Sequence, residues 1–123
     1  MTKQEELLGR LKKFALDTVK LIKELPRTEE NRIYGRQVIR SSSSVGANYS
    51  EATCAHTKAD FVHDLNKCRK EAKETVYWTE LILETNKTYS GIIEPVLKEA
   101  KEIFRVFMSS VKTTLANMAS TKK

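Results

Sequence analysis

Few side chains in this 123-residue sequence are of a type that could do chemistry: two cysteines, two histidines, a serine tract and a row of arginines. A di-iron site in a helical protein needs Glu-x-x-His on two helices and two further inward carboxylates. Asp60-x-x-His63 is the only approximation, and His56 has no carboxylate at the matching spacing. Zinc takes about four ligands, commonly at short, regular spacings, and Cys54, His56, His63 and Cys68 follow no such pattern. The two cysteines lack a CxxC spacing and fit reduced thiols packed as small apolar residues. Ser41-Ser42-Ser43-Ser44 has no strand-turn-helix elbow to activate a hydroxyl, and no glycine loop is present to cradle a phosphate. The expectation is a protein with no catalytic residue, no metal and no cofactor.

The arginines are more informative. Between Asn31 and Ser50 stand Arg32, Arg36 and Arg40 and no acid. Spacing by four groups them on one helix face, opposite the apolar arc, and a guanidinium favours planar anionic partners such as phosphate or carboxylate. Two readings stay open: a phosphate-contacting stripe, or a solvated face whose arginines pair with acids of a neighbouring helix or subunit. Asn48 and Glu51 fall near the edge of the apolar arc, where burial would oblige them to find partners; they are expected to fix the register against another helix. Ile39, Trp78 and Leu81 fall off the core stripes of their helices and point to a second buried surface, most economically self-association; the alternative, which serves Trp78 alone equally well, is a wide core face.

These residues must be positioned by helices. Leu7, Leu8, Leu11, Phe14, Ala15, Thr18, Leu21, Ile22 and Leu25 recur at steps of three and four, which predicts a helix over about 4–25; Pro26 ends it. Thr28 followed by Glu29 and Glu30 restarts one. The serine tract and Gly46 resemble a loop. However, Tyr34, Val38, Val45, Tyr49 and Ala52 stay in phase only if a single helix runs through, predicted over about 29–56, its small residues admitting a close neighbour. Thr57-Lys58-Ala59-Asp60 has a capping-box shape and opens a third helix, about 58–86, with Phe61, Leu65, Cys68, Ala72, Thr75, Val76, Thr79 and Leu83 on one face. After a turn at 87–91, Ile93, Val96, Leu97, Ala100, Ile103, Phe104, Phe107, Met108, Val111, Leu115 and Met118 mark a fourth, about 92–118. Pro95 is expected in its first turn, and residues 119–123 are expected to fray. Short connections make the fold class all-α, an up-down-up-down antiparallel four-helix bundle, with residues 1–123 as one domain.

Composition agrees, being rich in Lys, Glu, Leu, Ala and Arg and poor in Pro and Gly. No apolar run approaches a membrane span, and no apolar leader opens the chain, so a cytoplasmic location and no membrane partner are expected. The net charge is +6, spread along the chain without a basic tail, which attracts nucleic acid non-specifically.

Longer strings carry a resemblance. Phe14-Ala-Leu-Asp-Thr-Val-Lys-Leu-Ile-Lys-Glu-Leu-Pro26, then Tyr34-Gly-Arg-Gln-Val-Ile-Arg-Ser-Ser-Ser-Ser-Val-Gly-Ala-Asn-Tyr-Ser-Glu-Ala52, resemble the bacterial 23S rRNA intervening-sequence proteins. So do Lys58-Ala-Asp-Phe-Val-His-Asp-Leu65 and Lys70-Glu-Ala-Lys-Glu-Thr-Val-Tyr-Trp78; the last helix matches only in apolar character. The resemblance implies an up-and-down bundle that assembles into a homopentameric ring. Some members are encoded within insertions in large-subunit ribosomal RNA genes. A related branch serves diversity-generating retroelements as basic pentamers that bind nucleic acid and a reverse transcriptase. It implies RNA or DNA, a protein partner and copies of the chain itself as partners. It draws attention to Arg32, Arg36, Arg40, Asn48, Glu51 and Trp78, and gives Ile39 and Trp78 a place at subunit boundaries. No catalytic residue is implied. The competing function is a protein–protein scaffold with its charge incidental.

Overall fold

Three threonines set where the helices begin. The computed structural model describes residues 1–121. In it Thr2, Thr28 and Thr57 each adopt extended backbone and accept the N–H three residues on, at 3.0–3.1 Å. Each thereby satisfies an N–H left without a partner in the first turn. The helices are α1 (Lys3–Glu24), α2 (Glu29–Ala52), α3 (Lys58–Thr85) and α4 (Ser90–Thr121), with a short 3-10 turn at Lys87–Tyr89. Each packs against its sequence neighbours and α4 closes on α1, that last seam being the loosest. No strand occurs among the described residues.

α2 passes through the serine tract without interruption. Ser41, Ser42 and Ser44 return their hydroxyls to carbonyls of the preceding turn, those of Val38, Ile39 and Arg40, so no buried hydroxyl is left unpaired. The small residues serve both neighbours. Gly35 lies so close to α1 that a Cβ would stand 2.8 Å from Ile22 Cγ2, and Gly46 faces Leu11. On the other flank, Ser41 Oγ meets Thr75 Oγ1 of α3 at 2.8 Å, and Cys68 Sγ reaches the Val45 carbonyl at 3.6 Å.

The core forms two clusters. Leu11, Phe14, Val45, Tyr49, Leu65, Cys68, Ala72, Ala100, Ile103 and Phe107 belong to one. Leu21, Leu25, Val38, Ile82 and Ile93 form the other, towards the α1–α2 and α3–α4 turns. At that end Asn31 and Asn86, both buried, exchange amide hydrogen bonds at 2.8 and 2.7 Å. Asn31 also donates to the Pro26 carbonyl and Asn86 to that of Ile82.

Several boundaries and faces differ from the sequence pattern. α2 stops at Ala52, short of His56: Cys54 and Ala55 tighten onto the Glu51 and Ala52 carbonyls, because Thr57 must already be extended to cap α3. α4 begins at Ser90, so Pro95 lies past the first turn. The N–H it lacks would have bonded Gly91, and both residues are exposed at the solvent face. The helix continues through Ala119-Ser120-Thr121 where fraying was expected; Lys122 and Lys123 lie outside the described residues. Val62 and Ile82 are buried although off the predicted face. Met108 and Leu115 are half-exposed, the first about 100° round from buried Phe107, the second beyond Val111, where the packed cluster ends.

Candidate nucleic-acid interface

The three arginines of α2 are all exposed, but they do not form a free stripe. A step of four residues overshoots one helical turn by about 40°, so Arg32 and Arg40 lean to opposite sides of Arg36. Arg40 reaches α3, where its guanidinium pairs with Glu71 at 3.3 Å and closely with Glu74, and its Nε bonds Gln37. Glu74 in turn accepts the Trp78 indole N–H at 3.0 Å. Arg32 pairs with Glu29 one turn back at 2.5 Å, a hydrogen bond that raises its pKa. Only Arg36 of the three stands without an acid partner among the described residues. The pairing alternative therefore holds for Arg40, through a neighbouring helix.

Asn48 is half-buried and Glu51 exposed, and among the described residues neither bonds another helix. The burial expected of Glu51 is not met, because it stands about 100–160° round α2 from buried Tyr49 and Ala52. The register-setting polar pair is instead Asn31–Asn86. Both asparagines sit at helix ends, where local capping explains an Asn equally well, and their 55-residue separation hides the pairing.

Ile39, Trp78 and Leu81 are each half-buried, and the fold does not bring all three together. Ile39 lies on the α1 flank of α2, the side of Gly35. Trp78 lies on the α2–α3 seam, its ring 6.0 Å from Tyr34 and met edge-on by Tyr77 at 5.0 Å. Tyr77 is 54% exposed and Ile33, on the same outward side of the seam, 46%. With Leu81 one turn on, they make a patch of exposed apolar and aromatic surface.

A further charged group had no sequence signal. Arg10 of α1 grips Glu99 of α4 through two hydrogen bonds, 2.9 and 2.7 Å, and holds Glu102 at 3.1 Å. The Arg10 hydrogen bond holds the Glu99 carboxyl below its ordinary pKa, against the opposing effect of partial burial. Partners 89 and 92 residues apart cannot be found from local pattern. Cys68 is fully buried and burial pushes its thiol up to about 12, whereas Cys54 is exposed. Among the described residues no three His, Cys, Asp or Glu side chains are placed to share a metal ion. No helix there is long and apolar enough to cross a membrane.

Four helices in up-and-down order, with charge and aromatic rings on the surface, define an all-α bundle. The chain belongs to the 23S rRNA-intervening sequence protein family, whose model matches residues 4–109. It is similar to a crystal structure of a protein of unknown function from the S23 ribosomal protein family of Bacteroides thetaiotaomicron. That protein is 33% identical, with a TM-score of 0.79 over 90% of this chain and 99% of the other. No curated protein matches.

Proposed function

We propose that the chain is a non-enzymatic, basic bundle of the cytoplasm that assembles with copies of itself, as a pentamer by resemblance, and binds RNA or DNA through phosphate contacts. The observation that carries this is charge segregation. Arg10 and Arg40 draw carboxylates of α3 and α4 into ion pairs, while most lysines of those helices remain exposed and unpaired on a chain of net +6. The family name, which refers to an insertion in 23S rRNA, supports RNA as the first ligand to try. Fluorescence anisotropy with a labelled RNA hairpin over a salt series tests it. Affinity should fall steeply and linearly on a log–log plot; no binding at the lowest salt rejects the proposal.

A protein–protein scaffold is the second reading, favoured by the exposed Ile33–Tyr77 surface beside Trp78. Under it, Tyr77→Ser abolishes capture of a partner protein and leaves RNA binding as it was.

A further inference from the structure

We infer that the face shared by α3 and α4 is where the nucleic-acid backbone binds, through Arg69, Lys70 and Lys73 of α3 and Lys98, Lys101 and Arg105 of α4. The α2 arginines are then secondary. This rests on the proposed reading that the chain binds nucleic acid, and adds where it does so.

The first argument is where the acids go. Between Asn66 and Tyr77 the acids of α3 are Glu71 and Glu74, and both are bound by Arg40 on the α2 flank. Between Lys98 and Lys112 the acids of α4 are Glu99 and Glu102, and both are bound by Arg10 on the α1 flank. Two arginines thus hold four carboxylates at the outer edges of this pair of helices. The cations between those edges are left uncompensated.

The second argument is where the cations point. Cys68 and Thr75 bond α2, and Arg69 and Lys73 lie about 100–160° round α3 from them, on the flank beside α4. Lys70 and Lys73 are exposed, and Arg69 is half-buried, with Asn66 its one bonded partner among the described residues, at 3.2 Å. On α4, Lys98, Lys101 and Arg105 are exposed and line one shallow depression. Glu94 and Glu102 border it, the first at its end and the second already held by Arg10. None of these five exposed cations has an acid or hydrogen-bond partner among the described residues.

The third argument is register. Leu65, Cys68 and Ala72 share a core cluster with Ala100, Ile103 and Phe107, while Ile82 clusters with Ile93. Residues 69–73 of α3 therefore stand at the level of about 98–105 of α4, and the two sets of cations form one patch. Lys112 extends it two turns further, giving about 21 Å of helix from Lys98.

The experiment compares three purified full-length proteins on a labelled RNA hairpin by anisotropy between about 50 and 300 mM salt: wild type, Lys70→Glu/Lys73→Glu/Lys101→Glu/Arg105→Glu, and Arg36→Glu. The inference expects the fourfold variant to bind about 100-fold more weakly at low salt. Its log–log salt slope should flatten by about 3.6, near 0.9 for each of the four phosphates it no longer neutralises. Arg36→Glu should change affinity by less than about 3-fold, as one cation among many. If the reversed charges disturb folding or light-scattering mass, the same four positions changed to Gln should still flatten the slope by a similar amount. A fourfold variant that binds like wild type overturns the site and leaves nucleic-acid binding standing. Wild type that fails to bind at the lowest salt overturns the proposed function itself, and the site with it.

Discussion

Glycine 35 and glycine 9 both sit inside helices, and the fold treats them oppositely. An added Cβ at Gly35 meets Ile22 Cγ2 at 2.8 Å, on a branched side chain with little room to move, whereas at Gly9 it meets nothing within 4 Å. Alanine relieves glycine's helix penalty of roughly 1 kcal/mol at either site, but the overpacking at Gly35 costs about 1–3 kcal/mol. Gly9→Ala should raise the urea midpoint and Gly35→Ala should lower it; equal gains would show that α1 and α2 move apart there without cost. The thiols separate similarly. Cys54 should react at once with a thiol reagent at mildly alkaline pH, and Cys68 only after denaturant, because burial keeps it protonated. At this scale the sequence was partly legible. The phase of Tyr34, Val38, Val45 and Tyr49 was enough to carry α2 through its serines. The partners of Arg40, Asn31 and Arg10 were not visible, since each pairing depends on how two helices are rotated and not on either helix alone.

Helices were the most readable feature, because apolar spacing and threonine caps are local. Their ends moved by up to four residues where one cap's demand overrode its neighbour's, as Thr57 did at the end of α2. The seam between α1 and α4 has the least packing, which makes Arg10 with Glu99 and Glu102 its principal polar tie. Glu99 has a lowered pKa in the folded chain. Its contribution is therefore complete above the ordinary glutamate value near 4.3 and disappears as pH falls through the lowered one. Arg10→Met should cost about 0.5–1 kcal/mol at neutral pH, the group being only partly buried. Urea unfolding should show that difference shrinking as the pH is taken down from about 5 towards about 2. A difference that stays constant with pH would mean that Arg10 acts through its aliphatic stem.

For the whole molecule, fold class was legible and surface role was not: a net charge of +6 gives no indication of which helix faces carry it uncompensated. Arg32, Arg36 and Arg40 changed together to Glu would confuse two effects, because a carboxylate at 40 would face Glu71 and Glu74. Arg36→Glu alone avoids this. Self-association through the aromatic seam predicts that Ile33→Ser/Tyr77→Ser lowers the light-scattering mass at micromolar concentration while leaving the helical circular dichroism unchanged. An unaltered mass would place the subunit contact elsewhere. The Asn31–Asn86 amide pair bears on the molecule's internal motion. It joins the start of α2 to the end of α3 and, through the Pro26 carbonyl, the α1–α2 turn as well. At the opposite end Cys54, His56 and Thr57 of the α2–α3 turn are exposed. The cost of local opening must therefore be graded along the bundle axis. Amide protons at 79–83 on α3 should outlast those at 61–65 of the same helix in hydrogen exchange, so that the bundle opens from one end only.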